Sequence, residues 1–313
     1  MRLFKKTKRT DCWLAIAPLG DGIAAAIVRR VAEARPRVEL LQFFPGDGGA
    51  DTLEKIGREL QANSQRCLTV LRGGEYQVFA VDAPNVPAKE VKDAVRWRLK
   101  DMIDFHIDDA TIDVLAIPGA QATPARPSQS LFAVAARNSV IAQRQGQFAA
   151  AKIALSVIDI PETAQRNIAA LVEPAGRALA MLSFGADGGL LTVTFGGELC
   201  LSRRIDVALV QLLDDDHDKR HASFDKITLE VQRSLDHFDR QFHAISLAQL
   251  VLAPSGASGL EEYLSSNLYT PVSTLDLADV LDLSATPELA GAARQQHLFL
   301  ALGAALRDEE VLP

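Results

Sequence analysis

The residues whose types and spacing come nearest to chemistry are few. His217 and His221 stand four apart beside Asp214-Asp215-Asp216, a spacing that would hold a transition metal on a helix. The surrounding Asp218-Lys219-Arg220 fits a solvated charged turn between two helices better, and such a turn needs no ligand. Ser258 lies in Gly256-Ala257-Ser258-Gly259, which is not the Gly-x-Ser-x-Gly nucleophile elbow; a helix N-cap accounts for it. Asp21 and Asp187 each precede a glycine, which is ordinary turn chemistry. Neither a strand-linked Gly-x-Gly-x-x-Gly nor a Gly-x-x-x-x-Gly-Lys-Ser/Thr loop occurs. Trp97 lies off the Val91, Val95, Leu99 stripe of its helix, where an aromatic anchors a partner or packs on a neighbouring lobe. Arg96 and Arg98 flank it, and Tyr76 and Phe79 on a nearby strand are its candidate companions.

These residues need elements to hold them. Residues 179–206 read as three short strands joined by Ala186-Asp187-Gly188-Gly189 and Gly196-Gly197, leading into a short helix up to 213. Upstream, strands over 13–17, 23–28 and 38–44 open the chain as a meander. Asp51 is placed to cap a helix carrying Leu53, Ile56 and Leu60, and 66–72 with 76–81 form a strand pair around Gly73-Gly74. After Pro84-Asn85-Val86-Pro87 come a helix over 89–102, a strand over 111–117, a Pro/Ala/Gln/Ser-rich loop, a strand over 131–135 and a helix over 139–152. A strand over 156–160 and a helix opened by Pro161 follow, with a lobe boundary at Glu173-Pro174-Ala175-Gly176. Phe224, Ile227, Val231, Leu235, Phe238 and Phe242 mark a long amphipathic helix. A strand over 247–253, a helix over 260–266, a strand over 272–275 and a helix over 294–307 complete the chain, with no repeat of fixed period.

With 313 residues, 48% hydrophobic and 23% charged, the chain can bury two lobes. A net charge of -7 argues against a broad nucleic-acid footprint. The one basic run, residues 1–10, reads as a solvated tail, and a single such signal does not anchor a protein in lipid. Apolar stretches are too short to span a bilayer, so a cytoplasmic location is expected. Cys12, Cys67 and Cys200 read as reduced core thiols; no metal site is expected.

Four stretches carry a family resemblance. They are Val86-Pro87-Ala88-Lys89-Glu90-Val91 with Ala94-Val95-Arg96-Trp97-Arg98-Leu99 and Ile112-Asp113-Val114; Glu230-Val231-Gln232-Arg233-Ser234-Leu235; Ala257-Ser258-Gly259-Leu260 with Pro271-Val272-Ser273-Thr274-Leu275; and Leu300-Ala301-Leu302-Gly303-Ala304-Ala305-Leu306-Arg307. In that order the chain resembles the PilM family of type IV pilus assembly proteins, and within it the MshI proteins of mannose-sensitive haemagglutinin (MSHA) pilus biogenesis. The resemblance implies an α/β, actin-like ATPase (ribonuclease H-like) fold. Its first-lobe core would take 11–83 with 154–172, a small inserted α+β subdomain 84–153, and a second lobe 176–313. It also implies a partner, the cytoplasmic N-terminal tail of a PilN-like inner-membrane protein, and hence peripheral association at the inner-membrane face. A homodimer stays open.

The same comparison shows where the family pattern breaks. ATP-binding members open with Gly-Ile-Asp-Ile-Gly-Ser-Ser, and Leu14-Ala15-Ile16-Ala17-Pro18-Leu19-Gly20 stands there, with Ala15 at the Asp position and Ala17 at the first Gly. Ser183-Phe184-Gly185 likewise lacks the carboxylate of the second phosphate hairpin, which continues through Gly188, and Ala253-Pro254-Ser255-Gly256 replaces a glycine run at the adenosine turn. Mg²⁺ is held through one or two carboxylates plus phosphate oxygens, so the loss of both acids weakens MgATP binding and removes the means of placing an attacking water. The expectation is a non-catalytic adaptor without a required cofactor; the alternative is a nucleotide-dependent switch or weak ATPase that retains MgATP. Asp21 or Asp187 would have to substitute for the missing acids, and their turn positions argue against it.

Overall fold

The computed structural model describes residues 12–46, 48–118 and 130–308; the basic tail and most of the loop before residue 130 lie outside the described residues. Strands β1 (Trp13–Pro18), β2 (Gly22–Val31) and β3 (Ala34–Pro45) form an antiparallel meander, followed by helix α1 (Ala50–Glu59). Gly49 takes the N-cap position of α1 without a side-chain bond, which leaves Asp51 inside the first turn rather than capping it. Strand β4 (Arg66–Val70) runs parallel to β1, and β8 (Leu155–Asp159) parallel to β4, giving the sheet order β3-β2-β1-β4-β8.

Between β4 and β8 lie β5 (Tyr76–Asp82), α2 (Val91–Leu99), β6 (Ala110–Ala116), β7 (Ser130–Arg137) and α3 (Asn138–Ala150). The turn at Gly73-Gly74 suggests a β4–β5 hairpin, but β5 pairs antiparallel with β7 in a separate sheet, β5-β7-β6. The turn only redirects the chain; the partner that buries β5 is distant in sequence. Helix α2 is shorter than the stretch 89–102, and Val95 and Leu99 bury its apolar stripe against Val81, Leu131 and Ala133.

Helix α4 (Pro161–Ala169) leads to the second lobe, where β9 (Ala178–Gly185), β10 (Gly188–Phe195) and β11 (Glu198–Ile205) form the expected meander, followed by α5 (Leu209–Leu212). After α6 (His217–Gln241) come β12 (Leu247–Leu252), α7 (Leu260–Asn267), β13 (Val272–Thr274), α8 (Leu277–Val280) and α9 (Ala292–Ala305). The second sheet, β11-β10-β9-β12-β13, repeats the first: a meander whose first strand pairs with a parallel strand, which in turn pairs with a second. This repeat is topological, so no fixed sequence period reveals it.

The apolar stripe expected for α6 is buried at Phe224, Ile227, Val231, Leu235 and Phe238. The helix begins earlier than that stripe, because the Asp216 side chain accepts from the Asp218 and Lys219 amides, and so His217 and His221 are helical rather than in a turn. Their rings stack at 4.0 Å between centroids, and no three metal-ligating side chains gather among the described residues. Gly259, left-handed, occupies the N-cap position of α7 that Ser258 was expected to fill; a glycine bears that conformation without cost.

Strand alternation explains why both faces of the first sheet are apolar. Trp13, Ala15 and Ala17 face inward with Ala24 and Ala26, while Leu14 and Ile16 face α1 and α3 with Leu53, Ile56 and Phe148. The inward alanines leave room for α4 and α9, which cross between the sheets: a Cβ on Gly303 would stand 2.2 Å from the Ala164 carbonyl oxygen. Asn167 Nδ2 donates to Gly303 O at 2.9 Å across the same crossing.

The three cysteines are buried, and burial pushes the Cys67 and Cys200 thiols from 9.0 up to about 12. A thiol whose folded pKa lies above its unfolded one contributes stability that is whole below the unfolded pKa and lost as pH rises towards the folded one. Urea-unfolding free energy is therefore expected to fall between pH 9 and about 12, with each thiol adding a slope of about 1.4 kcal/mol per pH unit. Cys67→Ala should flatten the curve; an unchanged slope would remove Cys67 from the account.

Candidate functional site

The two meander turns, β1–β2 and β9–β10, face each other across a cavity of about 530 Å³ between the lobes. Ala17, Gly20, Ser183, Gly185 and Gly188 all line it, so five of the eight residues expected at a degenerate nucleotide cleft come together. Ala15 does not, being fully buried within the sheet, and Ser255 and Gly256 lie beyond Pro254, the residue of their turn that reaches the wall.

The walls are largely apolar. Pro18, Leu19, Leu71, Phe184, Leu190, Phe299 and Leu300 contribute, and α5 with the residue that ends it adds Leu209, Val210 and Leu213 at the rim, with Val210 74% exposed. Those three residues were not visible as site residues in the sequence, since a short apolar run beside an acidic turn reads as ordinary core. Ser183 is spoken for: its hydroxyl donates to Gln165 Oε1 at 2.5 Å, and Gln165 Nε2 lies 2.9 Å from Met181 O and from Thr192 Oγ1.

Asp21 and Asp187 lie in the β1–β2 and β9–β10 turns, and both reach the cavity wall. Each carboxylate has a protein group on one of its oxygens. Asp21 Oδ1 is 2.9 Å from His297 Nε2 on α9, and Asp187 Oδ2 accepts from the Gly73 amide at 3.1 Å. Asp21 and Asp187 are the carboxylates that line the cavity, and each has one oxygen on a protein group.

The partner-binding candidates are dispersed. Trp97 is 73% exposed on α2. Arg98 donates to Asp82 O at 2.7 Å, and Arg96 to Ile107 O at 2.5 Å and Ala110 O at 3.1 Å, so both guanidiniums hold α2 to its own subdomain. Tyr76 and Phe79 occupy opposite faces of β5, as three-residue spacing on a strand dictates. Phe79 packs with Val81, Val95 and Leu99. Tyr76 is only 9% exposed and donates to Glu162 Oε2 at 2.5 Å, while Arg204 donates to both the Tyr76 hydroxyl and Glu162 Oε1. Burial, then the Glu162 charge, drives the Tyr76 pKa far above its ordinary value. This Tyr76–Glu162–Arg204 cluster joins residues far apart in sequence and carries no motif by which it could have been foreseen.

No protein-family model and no curated protein sequence matches the chain. Solved structures do. A chain of a PilM–PilN type IV pilus biogenesis complex aligns with a TM-score of 0.73 at 19% identity, covering 95% of this chain and 98% of that one. A Bacteroides thetaiotaomicron protein described as having an actin-like ATPase fold and unknown function aligns at a TM-score of 0.50 and 10% identity, covering 92% and 98%. This chain has the actin-like ATPase fold. The cavity lies between the two lobes of that fold. No helix among the described residues is long and apolar enough to cross a membrane.

Proposed function

We propose that this actin-fold protein is a non-catalytic adaptor of a type IV pilus assembly platform, of the MSHA type, that captures the cytoplasmic N-terminal tail of a PilN-like inner-membrane protein. The observation that carries the reading is the end-to-end likeness to a chain of the PilM–PilN complex, which spans both lobes and the inserted subdomain. The apolar cleft, whose serine and aspartates are engaged by protein groups, supports a scaffold rather than a nucleotide-driven switch. The protein would then sit at the inner-membrane face through its partner, without a cofactor.

Trp97 is the exposed aromatic on the inserted subdomain best suited to anchor such a tail. Trp97→Ala is expected to weaken capture of a synthetic PilN-type tail peptide by about tenfold or more, with the melting temperature unchanged because the ring packs on little. Fluorescence anisotropy of the labelled peptide reads the affinity. Binding undiminished by the substitution takes Trp97 out of the interface, and absence of any binding to the native protein defeats the adaptor reading itself.

A further inference from the structure

Besides the contacts of α4 and α9 between the sheets, the Gly73 turn and the inserted sheet make their own contacts with the second lobe. The Asp187 carboxylate in the β9–β10 turn accepts from the Gly73 amide, and a Cβ on Gly73 would lie 2.9 Å from Asp187 Cβ, so the two turns touch. The turn carrying Gly73 is braced from behind: Glu75 Oε2 accepts from the Arg72 amide at 2.8 Å, and its carboxylate from Arg144 at 2.9 Å. Tyr76 of β5 bonds Glu162 on α4 and Arg204 on β11. Finally, Ile117 and Phe132 next to and on the inserted sheet are buried in one apolar cluster with Leu199, Leu201, Ile205 and Val207 of the second lobe.

Hinged two-lobe proteins commonly depend on a ligand in the cleft to hold the lobes together, because bare lobe interfaces are small and mobile. Here the protein supplies those bridges. We infer that the inserted sheet and the Gly73 turn act as a clasp that fixes the second lobe against the first with no bridging nucleotide, so that the cleft has a single standing geometry in the free protein. Tyr76, Glu162, Arg204, Gly73 and Asp187 are its fastening points. The inference is independent of the partner proposal, since it concerns the protein alone.

Hydrogen–deuterium exchange on the full-length protein tests it. The double variant Tyr76→Phe/Asp187→Ala removes one hydroxyl and one surface carboxylate while leaving core volumes nearly intact, and Gly73→Ala separates the same two turns by steric contact. In both variants, exchange across residues 72–76 and 183–190 should rise about tenfold, with α6 unchanged, because local opening and global unfolding are distinct events. Rates that stay within about twofold of the native protein in both variants overturn the clasp. So does an equal rise in α6, which would mean that the contacts serve folding as a whole and not the joining of the lobes.

Discussion

Gly303→Ala is expected to destabilise the protein by about 2–3 kcal/mol, whereas Gly146→Ala stabilises it by up to about 1 kcal/mol. Both glycines lie inside helices, α9 and α3, where alanine is intrinsically the better residue. The difference is what a new Cβ meets. At Gly146 there is nothing within 4 Å, so only backbone entropy changes. At Gly303 the Cβ would be 2.2 Å from the Ala164 carbonyl oxygen and 3.2 Å from Ile168 Cδ1. The first of these is backbone and cannot rotate away, so α4 and α9 must separate. Separation also lengthens the Asn167–Gly303 bond and loosens the packing of Ala164, Ile168, Leu298 and Leu302. Thermal unfolding checks the pair, with Gly303→Ala lower by roughly 5–10 °C and Gly146→Ala equal or higher. Equal melting temperatures for the two variants would mean that the helix crossing does not limit the fold.

The second large effect concerns Glu162, 1% exposed at the start of α4. Glu162→Ala removes the acceptor for Tyr76 and the counter-charge of Arg204 together, leaving a buried hydroxyl and a partly buried cation without their main partner. A loss of about 2–4 kcal/mol follows, smaller than for a fully buried pair because Arg204 keeps access to water. Glu162→Gln retains an acceptor for the hydroxyl and should cost about half as much. Urea unfolding orders the two variants, and a double-mutant cycle with Tyr76→Phe isolates their shared term, expected at roughly 1–2 kcal/mol. A coupling near zero would show that the hydroxyl and the carboxylate stabilise the fold separately.

How far the sequence discloses this molecule depends on whether the deciding contact is local. The meander strands and the α6 stripe follow from periodicities of two and about 3.6, and the hairpin turns of the second lobe from their glycines. The pairing of β5 with β7 is not local, and the glycine turn before β5 points to the wrong neighbour. Ser258 loses the cap position to Gly259 because the chain enters α7 through a left-handed residue. The facing turns of the cleft could be placed by analogy alone, and Ala17, Gly20, Ser183, Gly185 and Gly188 do meet there. What could not be read were the tertiary attachments: Asp187 on the Gly73 amide, His297 on Asp21, and Tyr76 between Glu162 and Arg204. Each links residues whose only connection is the folded structure.

In the proposed adaptor the cleft between the lobes does not bind MgATP, although Asp21 and Asp187 line it. Isothermal titration of the full-length protein with ATP and Mg²⁺ addresses that directly. We predict no saturable heat up to about 1 mM ligand, equivalent to binding weaker than roughly −4 kcal/mol. A dissociation constant in the micromolar range, about −8 kcal/mol, that weakens in Asp21→Asn or Asp187→Asn would contradict it, because those carboxylates would then be serving the nucleotide rather than the protein.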